Sequence, residues 1–491
     1  MVMAKTVRTR FAPSPTGYMH IGNLRTALYE YLIARSQGGK FILRIEDTDQ
    51  ERYVEGATDI IFETLKQTGI TYDEGPGVGG DYGPYIQSQR QGMYKKYAEE
   101  LIAKGKAYYC FCTKERLESI KGDVQQQGDA LAYDRHCRNL SKEEVQAKLD
   151  AKTPYVIRQK MPTEGTTTFH DAVYGDITVE NKTLEDQILL KADGMPTYNF
   201  ANVIDDHLMA ITHVVRGNEY LSSTPKYNLL YEAFGWEIPT YIHCAPVMKD
   251  AHNKLSKRNG DASFGDLIAK GYLPEAVVNY ITLLGWSPGG TQEIFSLKEL
   301  EEHFTIEGLS KSPAIFDPEK LRWMNGEYIR KLSPEDFTQM ARPWIQKGLG
   351  GDVSEETAVK ISRLIQGRTE VLGDIPEKIR FFKELPDYDP EIYRHKKMKT
   401  DPENAVDFLK ITKAFLAEYT GCWTSQSLYE GLCGLAADRE LKNSQILWPL
   451  RTALSGLPAS PGGATELAEI FGKEETLKRI DRGIEILGGK I

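Results

Sequence analysis

Cysteine is scarce, with six in 491 residues: Cys110, Cys112, Cys137, Cys244, Cys422 and Cys433. That density excludes a disulfide-built scaffold, and a reduced, cytoplasmic protein is the expectation. No apolar run is long enough to span a bilayer, and the longest, around 276–286, is interrupted by Asn279. Met1–Phe11 has basic residues but no apolar segment of the secretory kind. Positive charge is not in excess either. Lys and Arg number 61 against 70 Asp and Glu, for a formal charge of −9. A generally basic coat is thereby excluded, while a local basic groove for nucleic acid still fits within an acidic total. Internal repeats and low-complexity tracts are missing as well. What is present is an apolar fraction of 41%, enough to build cores, in a chain long enough for about three to four domains.

The first stretch reads as strand, loop, helix, strand. Val7–Ala12 is β-prone, and Pro13, Pro15 and Gly17 break it into a loop. Leu24, Ala27, Leu28, Tyr31 and Leu32 recur at helical spacing within Leu24–Arg35, and Gly38-Gly39 ends the helix. Phe41–Ile45 is β-prone again. Two strands joined by a helical crossover predict a parallel α/β sheet. Periodicity weakens over 101–191. Ile211–Val215 and Tyr241–Val247 then read as strands around a helix, Pro225–Phe234, so the α/β domain is split by an insertion and resumes near residue 196. From about 333 onward the pattern is helical. Ser333 followed by Pro334, Glu335 and Asp336 is a helix start, and loops are expected at Gly348–Asp352, Asp387–Pro390 and Pro458–Gly463.

Two segments carry chemistry. Pro13–Asn23 joins the first strand to the first helix, where open α/β sheets bind ligands. Its glycines allow backbone N–H groups to approach a phosphate, the helix start adds positive potential, and His20 can donate to phosphate oxygens. It has neither the Walker pattern nor the dinucleotide fingerprint. Alone, it reads equally well as a proline-rich turn with a helix-capping His. Lys254-Leu255-Ser256-Lys257-Arg258 places three cations and a hydroxyl in five residues. It suits a clamp on a triphosphate, where preorganised cations offset the charge that builds on phosphate oxygens during attack. Alone, it reads more simply as a solvated basic loop.

The pair resembles the two signatures of class I aminoacyl-tRNA synthetases. His20-Ile21-Gly22-Asn23 is similar to the His-Ile-Gly-His type and Lys254–Arg258 to the Lys-Met-Ser-Lys-Ser type, with Asn23, Leu255 and Arg258 as departures. Five further blocks, in order, resemble the glutamyl and glutaminyl branch: Arg10–Gly17, Arg44–Asp49, Gly194–Asp206, Val214–Pro225 and Phe316–Asn325. The resemblance spans about residues 5–330 in blocks and is looser beyond. It implies a bacterial-type glutamyl-tRNA synthetase architecture. That is a Rossmann-like catalytic domain over 1–100 and 196–252, with an acceptor-stem-binding insertion at 101–195. A stem-contact region at 253–332 carries the Lys254–Arg258 loop, and an all-α anticodon-binding domain covers 333–491. Glutaminyl enzymes use β-barrels at the C-terminus, so the helical pattern favours the glutamyl type.

The implied activity is ATP-dependent formation of glutamyl-adenylate with release of diphosphate, then transfer to the 2′-OH of the terminal adenosine of tRNA. ATP is accompanied by Mg²⁺. The implied acceptor is glutamate tRNA, with glutamine tRNA as a second candidate, and tRNA is expected to be needed before glutamate is activated. By resemblance, Arg10 with Tyr198 and Asn202 takes the side-chain carboxylate and Arg216 the α-carboxylate. Glu46 and Ser14 hold the ammonium. Guanidinium offers carboxylate two parallel hydrogen bonds. His20, Lys254 and Lys257 are assigned to the phosphates, Gly22 and Asn23 to ATP, and Glu219 to its ribose or base. Without the resemblance, Arg10 is an edge-strand residue and Glu46 a turn residue.

Some family members bind zinc through Cys-x-Cys, a 24-residue gap, then Cys-x-His. Cys110, Cys112 and Cys137 match; Asn139 replaces the His and is a poor ligand. His136 is adjacent but off register. A site completed by water and three ordinary thiols both remain open. In the helical third, Ser444–Arg451 is a candidate anticodon contact, with Trp448 to stack and Arg451 to pair, although a buried Trp and a surface Arg explain the same residues. No membrane partner is expected, and a monomer is. A non-catalytic tRNA-binding relative is the competing reading, disfavoured by the intact His20, Lys254, Lys257, Arg10 and Glu46.

Overall fold

A computed structural model describes residues 6–48, 54–127, 133–255 and 263–488. Asp49 and the segment Ser256, Lys257, Arg258 lie outside the described residues. The chain divides into two units, Met1–Leu267 with Val277–Asp317, and Ile268–Ala276 with Pro318–Ile491.

In the first unit, strand Arg8–Phe11 leads through a loop into helix Ile21–Ser36 and then into strand Lys40–Leu43. The two strands pair in parallel, from Arg8 with Lys40 to Phe11 with Leu43. The helix starts three residues before the expected Leu24, because the His20 side chain caps it. Buried residues occur all round it, as for a helix enclosed on every side rather than one with a wet face.

The α/β pattern resumes with helix Tyr198–Leu208, strand His213–Gly217, helix Thr224–Phe234 and strand Thr240–Cys244. Strands His213–Gly217 and Thr240–Cys244 are parallel over their full length. They adjoin the first strand, where the Thr212 N–H donates to the Arg8 carbonyl at 2.9 Å. The expected single strand Tyr241–Val247 is divided in two. Pro246, which lacks an N–H, separates Thr240–Cys244 from Val247–Met248, and the latter pairs with Ala314–Ile315.

Ala107–Cys110, Val156–Gln159 and Ile188–Leu190 form an antiparallel sheet. Its apolar face shares a core with helices Tyr198–Leu208 and Thr224–Phe234, through Ile157, Leu189, Phe200, Ile204 and Leu230. The hairpin Thr166–Asp171 with Gly175–Glu180 leaves that sheet and joins Thr240–Cys244 at one parallel position, Asp171 beside Tyr241. The carboxyl ends of Arg8–Phe11, His213–Gly217 and Thr240–Cys244 thus open on one side, where ligands of such sheets bind.

The second unit is helical among its described residues. Ser333 caps Pro334–Leu349 by accepting from the Asp336 N–H at 3.0 Å. Glu355–Ile365, Pro402–Glu418, Ser425–Asp438 and Asn443–Ser455 follow. The last helical stretch, Ala464–Ile486, is broken at Gly472, whose φ of 74° suits glycine. One core gathers Leu409, Leu432, Leu450 and Ile480; a second gathers Phe337, Ile345, Ile361 and Ile375.

Candidate active site

A cleft of about 410 Å³ opens at the carboxyl ends of the three strands. Arg10, Ser14, His20, Gly22, Asn23, Tyr198, Arg216, Glu219 and Lys254 all line it. Asn202 stands behind the wall, holding Arg216. Glu46 is also set back and is tied to Arg10 through Arg44 and Asp206.

One end of the cleft has a floor of interlocked ions. The Arg10 Nε donates to Asp206 Oδ1 at 2.9 Å and its Nη1 to Glu30 Oε1 at 3.0 Å. Arg44 donates to the same Asp206 oxygen at 2.8 Å and to Glu46 Oε1 at 2.8 Å. Arg216 Nη2 donates to Asn202 Oδ1 at 2.8 Å, which fixes that amide with its nitrogen on the Tyr198 carbonyl at 2.7 Å. All of these side chains except Tyr198 are buried. Buried charges cost several kcal/mol each, and only good partners recover it. Yet the Oε2 atoms of Glu30 and Glu46 and the Nε of Arg216 have no hydrogen-bond partner among the described residues. Incomplete pairing of buried ions on and beside a cleft wall fits a site waiting for a charged ligand.

The acids here do not ionise alike. Burial pushes Asp206 upward, but Arg10 and Arg44 outweigh it and hold its carboxyl at about 2. Glu46 is raised, because burial exceeds the pull of Arg44 and, more weakly, of Arg10. Glu30 is raised well above the usual carboxylate range: burial dominates, and nearby Asp206 opposes the help from Arg10.

The other end is built from loop and helix start. His20 Nδ1 accepts from the Gly22 N–H at 3.0 Å, which leaves the ring proton on Nε2. A Cβ on Gly22 would lie 3.2 Å from that Nδ1, so glycine keeps this capping bond open. Gly217 serves Glu219 in the same way, since a Cβ there would meet the Glu219 carboxylate at 2.3 Å. Lys254 is exposed and pairs with Met248 in a β-bridge, while Ser263 bridges to His20. Both flanks of 256–262 are therefore fixed beside the cleft. Lys257 belongs to that segment and lies outside the described residues.

Cys110, Cys112 and Cys137 form a separate cluster, with ligand atoms within 4.8 Å of one another. Cys112 and Cys137 sulfurs are 3.6 Å apart. The fourth position is where the structure departs from the spacing. His136 is not in the cluster, and His136 and Asn139 are both exposed. Instead the Tyr133 hydroxyl lies 3.2 Å from Cys110 Sγ and 3.9 Å from Cys112 Sγ, and it accepts from the Cys137 N–H at 3.2 Å. The Arg158 guanidinium lies 3.8 Å over the Tyr133 ring. Burial opposes ionisation of Cys110, yet Tyr133 and Arg158 bring its thiol below the ordinary value.

In the second unit, a cleft of about 550 Å³ is lined by Ser425, Tyr429, Ser444, Trp448 and Arg451, among others. The Arg451 guanidinium lies 4.2 Å over the Trp448 ring and donates to Ser460 Oγ at 3.1 Å. Arg451 Nε and Trp448 Nε1 have no partner among the described residues.

Sequence reasoning missed Glu30, Arg44, Asp206 and Tyr133. Glu30 had a signal: it is an acid within the otherwise apolar run Ala27–Ala34. Asp206 and Arg44 lie inside two of the blocks that resemble the synthetase branch, but their pairing spans 162 residues and has no local pattern. Tyr133 lies four residues before Cys137, off the Cys-x-His spacing.

Residues 6–323 match the family of class I tRNA synthetases (E and Q), catalytic domain, and residues 336–484 match an anticodon binding domain. The chain is 62% identical to the glutamate–tRNA ligase of Clostridium novyi over 486 residues, covering 99% of each chain. A crystal structure of a glutamate tRNA ligase from Elizabethkingia meningosepticum, in complex with its amino acid, is similar with a TM-score of 0.87 at 39% identity, covering 98% of this chain and 99% of that one. A glutamate–tRNA synthetase from Elizabethkingia anophelis gives a TM-score of 0.89 at 38% identity, covering 98% and 100%. With the parallel α/β cleft, the helical second unit and matches over nearly the whole length, the chain belongs to the class I tRNA synthetases of the E and Q type.

Proposed function

We propose that this chain ligates L-glutamate to glutamate tRNA. The observation that carries the reading is the cleft with a buried Arg10 and Arg216 at one end and the His20–Asn23 helix start at the other. In the first step an α-carboxylate oxygen of glutamate attacks the α-phosphorus of ATP, and diphosphate leaves. In the second, the 2′-OH of the terminal adenosine attacks the acyl carbon, and AMP leaves.

Arg10, with Tyr198 and Asn202, holds the side-chain carboxylate, and Arg216 the α-carboxylate. Glu46 and Ser14 take the ammonium. No general base is required, because the attacking carboxylate is already ionised at neutral pH. What the chain supplies is alignment and charge stabilisation. The Nε2–H of His20 donates to phosphate oxygens, and Gly22 and Asn23 add the positive start of the helix. Glu219 meets the ribose or base. Lys254 and Lys257 offset the charge that develops on the phosphates, and Mg²⁺ arrives with the ATP.

The insertion at 101–195 and the region 253–332 take the acceptor stem, and 333–491 the anticodon, with Trp448 and Arg451 as a stacking and pairing site. Glutamine tRNA is a second acceptor to test. Cys110, Cys112 and Cys137 fit a structural zinc, with three sulfurs clustered and the Tyr133 hydroxyl beside them at the fourth position. Zinc there would staple the subdomain and take no part in the reaction. The chain works as a monomer in the cytoplasm, and no helix among the described residues is long and apolar enough to cross a membrane.

Charging purified glutamate and glutamine tRNAs with glutamate, side by side, tests the reading. Glutamyl-tRNA on the glutamate acceptor is expected, and its absence would overturn the reading. Metal analysis tests the staple, where about one zinc per chain is expected and a content near zero removes it.

A further inference from the structure

Glu30 belongs to none of the roles above, yet it is 1% exposed and lines the same cleft as Arg10. Its Oε1 receives Arg10 Nη1 at 3.0 Å, while its Oε2 has no partner among the described residues. Arg10 is thus shared between two buried acids, Asp206 and Glu30. We propose that Glu30 is a further specificity-determining residue, whose Oε2 carries a proton and donates a hydrogen bond to the side-chain carboxylate of the substrate held at Arg10. This rests on the glutamate reading above and deepens it.

A charge count supports the proposal. The cluster holds three guanidiniums, Arg10, Arg44 and Arg216, and three acids, Asp206, Glu46 and Glu30. With all three acids ionised, it would be neutral when empty, and the net negative substrate would leave an uncompensated buried charge. With Glu30 neutral, the empty site is positive by one and becomes neutral when glutamate enters. Two acids on one guanidinium also compete, and the one with fewer cationic partners keeps its proton. Among the described residues, Asp206 pairs with Arg10 and Arg44, and Glu30 with Arg10 alone.

The charged and titratable groups acting on Glu30 are Arg10 on the first strand, Asp206 on Tyr198–Leu208, Arg216 on His213–Gly217 and Cys244 on Thr240–Cys244. Burial raises the Cys244 thiol to about 12, so it adds no charge. Burial likewise raises Glu30. A neutral acid beside a guanidinium presents donors to both oxygens of a carboxylate. A carboxamide, with a donor in place of one oxygen, leaves a donor facing a donor, which is how a polar site rejects a near-isostere.

The test is KM for glutamate in tRNA charging at about pH 7.5, for the wild type, E30Q and E30L. Gln mimics the protonated acid, accepting from Arg10 and donating onward, whereas Leu offers no donor. E30Q should keep KM within about twofold of the wild type, while E30L raises it about tenfold with a smaller change in kcat. A KM raised as far in E30Q as in E30L, or unchanged in E30L, overturns the proposal. Should the variants fail to fold, infrared difference spectra of glutamate binding to the wild type read the same proton. A protonated-carboxyl band that shifts on binding supports the assignment, and its absence contradicts it. A wild type that charges no tRNA with glutamate at any pH would fail the parent reading and this one together, an outcome distinct from those above.

Discussion

The two ends of one cleft are built differently. At the amino-acid end, Arg10, Glu30, Arg44, Glu46, Asp206 and Arg216 are buried, most of them on strands or helices; the first five are paired with one another and Arg216 with Asn202. At the phosphate end, Asn23, Glu219 and Lys254 are exposed, and His20 stands at a helix start. The contrast follows from what each end must do. Choosing an amino acid by charge requires a dry site whose ions do not rearrange, and such a site costs stability unless every ion is paired. Stabilising phosphate charge requires donors at the mouth, where a large, wet, departing group comes and goes.

Substitutions should therefore divide into those that unsettle the fold and those that spare it. The largest effect is expected for Arg10→Ala. It strips Asp206 of one partner and Glu30 of the one it has among the described residues, costing about 3–5 kcal/mol of stability by denaturant unfolding and abolishing glutamate charging. His20→Ala should lower adenylate formation about 10²–10³-fold, while the lost helix cap costs only about 1 kcal/mol. An Arg10 variant as stable as the wild type would break the comparison from one side, and a His20 variant with normal turnover from the other.

Acid should separate the ends too. The Asp206 carboxyl, held at about 2, lies below its unfolded value of about 3.9. Its contribution, about 2.6 kcal/mol, is therefore complete above the unfolded value and is lost as pH falls through the folded one. Denaturant stability measured across that window should decline in the wild type. D206N, less stable at the outset, should lack this part of the slope. The smallest effect belongs to the second unit. Arg451→Ala should raise KM for tRNA about tenfold and leave KM for glutamate unchanged; equal changes in both would detach that cleft from the anticodon.

Much of this was legible in the sequence because it is local. The helix start at Ser333, the loop after the first strand and the alternating elements all depend on neighbours along the chain. His20 is readable as a cap because the N–H that it satisfies is two residues away. The floor was not legible to the same degree. Arg10 meets Asp206 across 196 residues, and no spacing rule announces that. Glu30 stood out locally as an acid in an apolar run, but its partner Arg10 lies 20 residues away and no spacing rule joins them. The cysteine spacing pointed to Asn139 as a fourth position, whereas the chain folds Tyr133 back onto the sulfurs.

The most direct test of the division is glutamate-dependent pyrophosphate exchange with glutamate tRNA present, for the wild type and His20→Ala. The wild type should exchange with glutamate and not with glutamine. His20→Ala should lose turnover with KM for glutamate held within about twofold. No exchange by the wild type with its tRNA present, or an unaltered turnover in His20→Ala, would contradict the account.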